Sequence, residues 1–362
     1  MDLNLFIIVL IAGGLLLLSF LKLSNAIAVN RKANVYFGVF VFLWSTFWLD
    51  EMIVPESAQD NFYVFTFLRF IQFLTPLTFF LSIIFYTNPT YRYTKNDLRF
   101  TVIPLLFLIL LFCKPLLKKE TFFLLYIVVF LSNSLFYTSW AYVKINRHQK
   151  VIEAFSSNKE PIDLNWLKYI IYSFILSAVL IIVYSIFTTA ESLNIYINLF
   201  FLIVVYLVAF YSMRQKEIFP RGLIIEQTIE MNQPEEKAAK TKLLDDTGLD
   251  NLKTRLLELM EKEKPYLDSE LNLVKLAEQL QTSSHQLSYV INNGFKENFF
   301  NFINKYRVKK AEELLKNPAY DHLTILAIGY ESGFNSKTSF NTTFKKITSY
   351  TPTEYRKICS KL

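Results

Sequence analysis

The stretch LNLVKLAEQLQTSSHQLSYVIN, Leu271–Asn292, has the pattern of two short helices joined by a tight turn. Apolar residues recur at helical spacing at positions 273, 276, 277 and 280, which predicts a first helix over 271–280. Gln281 and Thr282 supply the turn. Ser283, with Gln286 three residues later, has the pattern of a capping box that starts the second helix. The stretch therefore predicts a helix-turn-helix.

The second helix of this pair has one apolar face, formed by Leu287, Val290 and Ile291. The outward positions hold short or hydrogen-bonding side chains, which suit the edges of bases in a major groove. They are Ser284, His285, Gln286, Ser288, Tyr289 and Asn292. All of them except Ser288 are predicted DNA-binding residues.

The same pattern recurs about fifty residues later. A helix is expected over 323–332, followed by Gly333 as a left-handed residue after its end. Asn335 or Ser336 then caps a helix that runs through Ile347 and buries Phe340 and Phe344. The predicted DNA-binding residues of this second pair are Ser336, Lys337, Thr338, Asn341, Thr342, Lys345 and Lys346.

Between the pairs lies a helical segment, 299–316, whose apolar residues change face midway. The residues of the first half that share a face are Phe299, Phe302, Ile303 and Tyr306, and those of the second half are Val308, Ala311, Leu314 and Leu315. Such a drift predicts a rigid connector with one small subdomain at each end.

Residues 265–358 resemble the DNA-binding domain of AraC/XylS-type bacterial transcription regulators. The matching motifs are Leu-x-x-Leu-Ala-x-x-Leu at 273–280, Phe-Ile-Asn-x-Tyr-Arg at 302–307, Gly-Phe-Asn-Ser at 333–336, Ser-Phe-x-x-x-Phe-Lys-Lys at 339–346 and Thr-Pro-x-Glu-Tyr-Arg at 351–356. The resemblance implies two recognition helices that read successive major grooves on one face of double-stranded DNA. Two positions depart from the pattern. Gln281 stands in place of the usual turn glycine, and Gly329 in place of a helix alanine.

The charge of this region has the sign that DNA binding requires. From Pro265 onward thirteen Lys and Arg oppose nine Asp and Glu, a net charge of +4. Lys337, Lys345 and Lys346 cluster on the second predicted recognition helix, where phosphates would lie.

The segment before this region, 214–264, has the composition of a charged linker. Within it, Leu249, Leu252, Leu256 and Leu259 repeat at 3-4-3 spacing. This pattern fits either a short coiled-coil seam, and hence a homodimer, or a helix that packs on its own domain.

Residues 1–213 differ sharply from the rest because seven stretches are long and apolar enough to span a bilayer. They are 3–22, 34–54, 62–87, 98–117, 121–143, 166–190 and 193–213. The expected fold is all-α, a seven-helix transmembrane bundle over 1–213 followed by the linker over 214–264 and a tandem helix-turn-helix domain over 265–362.

The Lys and Arg residues of the short loops predict the orientation. With the N-terminus outside, the inner loops carry eleven Lys and Arg and the outer segments carry three. The bacterial inner membrane is the expected location, with the C-terminal domain in the cytoplasm. Lys114, Lys118 and Lys119 lie on the outer side and break the rule.

One charged residue, Arg69, falls within the third predicted span, near Asp50, Glu51 and Glu191 at neighbouring span ends. These four residues are candidates for an outward-facing pocket that senses a small molecule or an envelope signal. The alternative, which the sequence favours, is an arginine that extends its charge to the lipid headgroups.

The sequence gives little support to other classes of protein function. None of the eight glycines forms a phosphate-binding loop, and the three histidines and two cysteines have no metal-ligand spacing. No catalytic residue, metal or cofactor is predicted, and the chain is not expected to be an enzyme. The leading hypothesis is a membrane-embedded one-component transcription regulator. The alternatives are a polytopic transporter or a membrane scaffold with a regulatory helical tail.

Overall fold

The computed structural model describes residues 3–26, 30–53, 61–187, 193–216, 218–219 and 245–359. The candidate residue Glu191 and most of the predicted linker lie outside these ranges. The described chain is helical and contains no strand. One isolated antiparallel bridge joins Ser156 to Asn272. The all-α prediction is confirmed.

The N-terminal half contains a helix at each of the seven predicted span positions, the third of them interrupted. These helices are α1 (Leu3–Leu23), α2 (Arg31–Ile53), α3 (Phe62–Phe73), α4 (Thr75–Thr87), α5 (Arg99–Phe112), α6 (Lys119–Ile152), α7 (Asn165–Phe187) and α8 (Leu193–Met213).

The C-terminal half follows the two predicted helix pairs. Its helices are α9 (Asp246–Lys262), α10 (Leu273–Gln279), α11 (Ser284–Tyr289), α12 (Phe299–Lys316), α13 (Ile325–Glu331), α14 (Lys337–Thr348) and α15 (Pro352–Cys359). A π-helical turn, Val290–Gly294, continues α11.

Among the described residues, five helical segments are long and apolar enough to cross a membrane: Leu3–Leu23, Arg31–Ile53, Phe62–Thr87, Lys119–Ile152 and Ile195–Met213. Helix α5 has only 14 residues, fewer than the roughly 20 that a span needs. Helix α7 counts as a shorter apolar helix over Asn165–Leu180. The number seven therefore stays a prediction.

The third predicted span is interrupted at Leu74, between α3 and α4. Pro76 lies in the first turn of α4, where its missing N–H would have no helical partner in any case. A proline in the middle of a helix would remove a hydrogen bond and clash with the preceding turn, so the chain starts a new helix here.

Packing divides the chain into two compact units. The first comprises Met1–Arg147 and Leu164–Glu217, and the second comprises His148–Asp163 and Ile218–Leu362. In the first unit, α1 packs against α2 and α8, α2 against α4, and α3 against α5. Aromatic rings fill this core; for example, Phe40 stacks on Trp44 with ring centroids 5.6 Å apart.

The second unit has a core at each end of α12, as the change of apolar face predicts. Phe299, Phe302 and Ile303 are buried in the first half of the helix. Its second half contributes Val308, Ala311, Leu314 and Leu315 to a cluster with Ile328, Phe334, Phe340 and Phe344. The predicted change of buried face along this helix is confirmed.

Helix α9 packs within the second unit. It contacts the π-helical turn and the 3-10 turn Pro265–Leu267, and it buries Leu252, Leu256 and Met260. Of the two predictions for the leucine repeat, the structure supports the helix that packs on its own domain.

Candidate nucleic-acid interface

The first helix pair is built as its sequence indicates. Asn272 caps α10 by accepting a hydrogen bond from the Lys275 N–H. Leu273, Leu276, Ala277 and Leu280 are all buried. The turn residue Gln281 has φ 51°, in the left-handed region where a glycine would be less strained. This explains why glycine is common at the position in the family that the chain resembles.

Helix α11 begins at a capping box, as predicted. The Ser283 hydroxyl accepts from the Gln286 N–H at 3.2 Å, and Gln286 Oε1 accepts from the Ser283 N–H at 3.5 Å. Gln286 Oε1 also accepts from the Thr282 hydroxyl at 2.9 Å. The side-chain oxygen of Gln286 is therefore engaged in capping, and only the N–H groups of its amide can donate to a base edge.

The other outward-facing residues predicted for α11 and the turn after it differ in their exposure to solvent. Ser284, His285, Tyr289 and Asn292 are half-buried and reach solvent. Ser288 is buried, so the expectation that it points outward is wrong. Ser288 lies one residue after Leu287 and three before Ile291, both of which are buried, so it falls at the edge of the buried face of the helix.

The second predicted recognition helix, α14, presents a strongly polar face. Ser336 caps it by accepting from the Ser339 N–H at 3.0 Å. Phe340, Thr343 and Phe344 are buried. The predicted DNA-binding residues lie on the other side: Lys337, Thr338, Thr342, Lys345 and Lys346 are exposed, and Ser336 and Asn341 are half-buried.

The charge on this face is concentrated at the end of α14, where Lys345 and Lys346 lie in the last turn. Glu354 at the start of α15 accepts the Thr351 N–H at 2.8 Å. That hydrogen bond, helped by the nearby Lys345 and Lys357, lowers the pKa of Glu354. The carboxylate is thus ionised at neutral pH and offsets part of the local positive charge.

Helices α13 and α14 approach closely at Gly329. A Cβ atom there would lie 2.6 Å from a ring carbon of Phe340, too close for any real contact. The Phe340 ring occupies the space that the methyl group of an alanine would need. This explains why position 329 holds glycine instead of alanine.

Arg307 organises the second unit, a role that the sequence pattern did not reveal. Its side chain is buried, and it donates from Nε to the Tyr266 carbonyl and from Nη2 to the Asp268 carbonyl, both at 2.8 Å. The guanidinium also lies 5.9 Å from the centre of the Phe334 ring in the second helix pair. Burial lowers the pKa of Arg307 to about 10. The guanidinium thus links the connector helix to the turn before α10 and to the residue that follows Gly333.

Two of the four candidate sensing residues of the first unit form an ion pair. Arg69 Nη1 lies 2.9 Å from Asp50 Oδ2 and 2.7 Å from Gln72 Oε1. Asp50 Oδ1 is buried without a hydrogen-bond partner among the described residues. Glu51 is exposed. Arg69 thus has a carboxylate partner within the unit. An arginine that only extended its charge to the lipid headgroups would not need such a partner.

Comparison with known proteins identifies the C-terminal region. A family model described as "Helix-turn-helix domain" matches residues 276–358, about a quarter of the chain. No curated protein and no solved structure matches the chain. The region is a helix-turn-helix domain of AraC type, as the sequence motifs indicated. Such domains belong to DNA-binding transcription regulators, typically proteins without enzymatic activity.

Proposed function

We propose that this chain is a membrane-embedded, one-component transcription regulator whose N-terminal half senses a signal and whose C-terminal unit binds promoter DNA. The observation that carries the proposal is the polar, lysine-bearing face of α14 inside a helix-turn-helix domain. The described part of the same chain also includes five apolar helical segments long enough to span a membrane.

The character of the first unit supports a lipid partner. Large apolar side chains are exposed along several of its helices, including Leu17, Phe20, Leu106, Leu124 and Ile203. Soluble proteins rarely leave apolar patches of this extent in water, whereas a bilayer would cover them without cost. The proposed location is the inner membrane of a bacterium, with the N-terminus outside and the C-terminal unit in the cytoplasm.

The Asp50–Arg69 pair supports a sensing role. Charged groups within a membrane span are costly and are retained mainly where they serve a function. The buried Asp50 Oδ1 could accept a hydrogen bond from a small polar ligand. The proposed stimulus is therefore a small molecule or an envelope signal that acts on the outward-facing end of the bundle.

The alternatives are a transporter and a scaffold. A transporter usually has inverted repeats with broken helices at its centre. The apolar half of the sequence contains no evident internal repeat, although the third predicted span is interrupted at Leu74. A scaffold would use the polar face of α14 for protein rather than DNA.

The deciding experiment uses the full chain in lipid nanodiscs, incubated with fragmented bacterial DNA. We expect enrichment of specific sequences, and loss of the enrichment when Lys337, Lys345 and Lys346 are all replaced by Ala. If the intact chain inserts into nanodiscs but recovers no DNA above background, the proposed function is wrong and the scaffold and transporter alternatives are left.

The orientation is tested by labelling single cysteines in whole cells, on a background with Cys113 and Cys359 replaced by Ser. A membrane-impermeant reagent should reach position 57, which lies outside the described residues, from the outside. The exposed Glu160 should react as Cys only after permeabilisation. The reverse pattern would contradict the proposed topology.

A further inference from the structure

The second unit contains a segment that the sequence analysis assigned to the membrane half. Residues 148–163 connect α6 to α7, yet they belong to the same compact unit as the C-terminal helices α9 to α15. The last residues of α6, His148–Ile152, belong to this segment.

The backbone of the segment satisfies donors at the starts of two helices. The Phe155 carbonyl accepts the Leu273 N–H of α10 at 2.9 Å, and the Glu153 carbonyl accepts the Phe300 N–H of α12 at 2.9 Å. N–H groups in the first turn of a helix have no partner within it. The segment therefore caps both the first helix of the helix-turn-helix and the connector helix.

Charged side chains reinforce the contact with α12. Glu153 pairs with Lys159 at 2.6 Å and accepts from the Asn298 amide at 3.1 Å. The Lys159 ammonium lies 4.1 Å from the centre of the Phe300 ring, a cation–π contact.

The segment reaches Arg307 through Ser157, whose side chain is fully buried. Arg307 Nη2 donates to the Ser157 hydroxyl at 2.9 Å, and Nη1 donates to the Ser157 carbonyl at 3.2 Å. The Ser157 hydroxyl in turn donates to the Leu271 carbonyl at 2.6 Å. A buried guanidinium is tolerated only while its donors are paired, so withdrawal of Ser157 would leave charge-bearing donors unsatisfied.

One buried side chain of the segment has unsatisfied hydrogen-bonding groups in this position. Both polar atoms of the Asn158 side chain are buried with no hydrogen-bond partner among the described residues. Buried polar groups without partners lower stability. The hydrogen bonds of Ser157 thus stabilise the docked position, and the unpaired side chain of Asn158 destabilises it. This combination is expected of a contact that can be released.

We propose that residues 148–163 are the route by which the membrane half controls DNA binding. This inference rests on the proposed function and specifies how the DNA-binding unit is regulated. When docked, the segment completes the pairing of Arg307 and caps α10 and α12, which fixes the connector between the two recognition helices. Movement of α6 or α7 withdraws Ser157, loosens the connector and weakens DNA binding.

The docking is tested first, without DNA. A protease site is placed at 232–236 in the full chain, which carries an affinity tag at its N-terminus. After cleavage in detergent, most of the C-terminal fragment should be recovered with the tagged half. Ser157→Ala should increase the released fraction about tenfold, because hydrogen bonds to a charged group are lost. Ser157→Thr, which keeps the hydroxyl, should restore retention, and Glu160→Ala, in the same segment but exposed, should not change it.

The regulatory role is tested by DNA binding of the same uncleaved variants in nanodiscs. Ser157→Ala should lower affinity for the enriched sequences about fivefold or more, and Glu160→Ala should not. Hydrogen–deuterium exchange across α14 serves as a folding control and should be unchanged.

Each result has a definite meaning. If the fragment separates from the unmodified chain, the segment does not dock and the proposal fails. If the unmodified chain retains the fragment but Ser157→Ala leaves the DNA affinity unchanged, the segment only holds the two halves together. That result also overturns the proposal. Absence of DNA binding by the unmodified chain would instead refute the proposed function, and the retention result would stand.

Discussion

The carbonyl oxygen of Tyr266 lies 2.3 Å from the position that a Cβ atom would take on Gly333. Gly333 also has φ +90°, a conformation that L side chains rarely adopt. The turn between α13 and α14 thus packs directly on the turn that precedes α10, and the two helix pairs meet at a glycine.

Replacing this glycine should therefore loosen the second pair. We expect Gly333→Ala to destabilise it by about 1–3 kcal/mol, from backbone strain and the clash with Tyr266. Hydrogen–deuterium exchange of peptides from α14 in the full chain measures the loss. Gly294→Ala is the matched control, because the nearest atoms to its Cβ would lie 3.8 Å away. Equal exchange in the two variants would contradict the packing described here.

Two exposed lysines at the end of α14 should supply affinity without sequence preference. Lys345→Ala and Lys346→Ala should each weaken binding to all DNA sequences alike and reduce the slope of log affinity against log salt by about 1. Fluorescence anisotropy at several salt concentrations measures both effects. Lys309→Ala, an exposed lysine of the connector helix, controls for the loss of charge alone. If Lys309→Ala changed the slope by the same amount, the two lysines of α14 would have no special role in DNA binding.

Asn341 should supply preference rather than affinity. An asparagine amide can pair with both hydrogen-bonding groups of adenine in the major groove, worth about 1–3 kcal/mol of discrimination. Asn341→Ala should relax the preference at one base position in a selection from random sequences. An unchanged consensus at every position would refute the contact.

Gln286 in the first recognition helix should behave differently from Asn341. Its side-chain oxygen accepts bonds from Thr282 and Ser283, so Gln286→Ala removes part of a helix cap. We expect a loss of about 1 kcal/mol in the local stability of α11, with weaker binding to every sequence. A change confined to one base position would indicate that Gln286 reads DNA after all.

The ion pair in the first unit makes a further prediction. Asp50→Asn should destabilise the unit by about 1–3 kcal/mol, because it leaves the partly buried Arg69 without its carboxylate. Asp50→Asn combined with Arg69→Gln should cost less than the sum of the single changes. Thermal unfolding in detergent, followed by tryptophan fluorescence, measures this coupling. Glu51→Gln, at an exposed neighbour, should have no effect, and purely additive costs for the pair would show that the two charges act independently.

The periodicity of the sequence was sufficient for the helices and most of their faces. Helical spacing located α10 to α14, and the Ser283–Gln286 spacing located a capping box, because these features depend on residues within one turn of each other. The π-helical turn after α11 was not predictable in this way. The burial of Ser288 was missed because spacing does not show how far the buried face of a short helix extends around its axis.

The interruption at Leu74 and the short length of α5 were likewise not predictable from the sequence pattern. Hydropathy over a window of residues detects an apolar stretch but not where the helix within it ends. Pro76 was visible in the sequence, and its effect depended on whether the chain kinked or started a new helix there.

The all-α class, the apolar half, the paired helices and the lysines of α14 could be read from the amino-acid sequence, since each of these follows from local composition or spacing. The folded chain was needed to show that Asp50 pairs with Arg69, that Phe340 occupies the space beside Gly329, and that Ser157 meets Arg307 across 150 residues of chain. The physical reason is that hydrogen bonds and close contacts between distant residues depend on how helices pack, and a periodic pattern shows which face of a helix is buried but not what covers it.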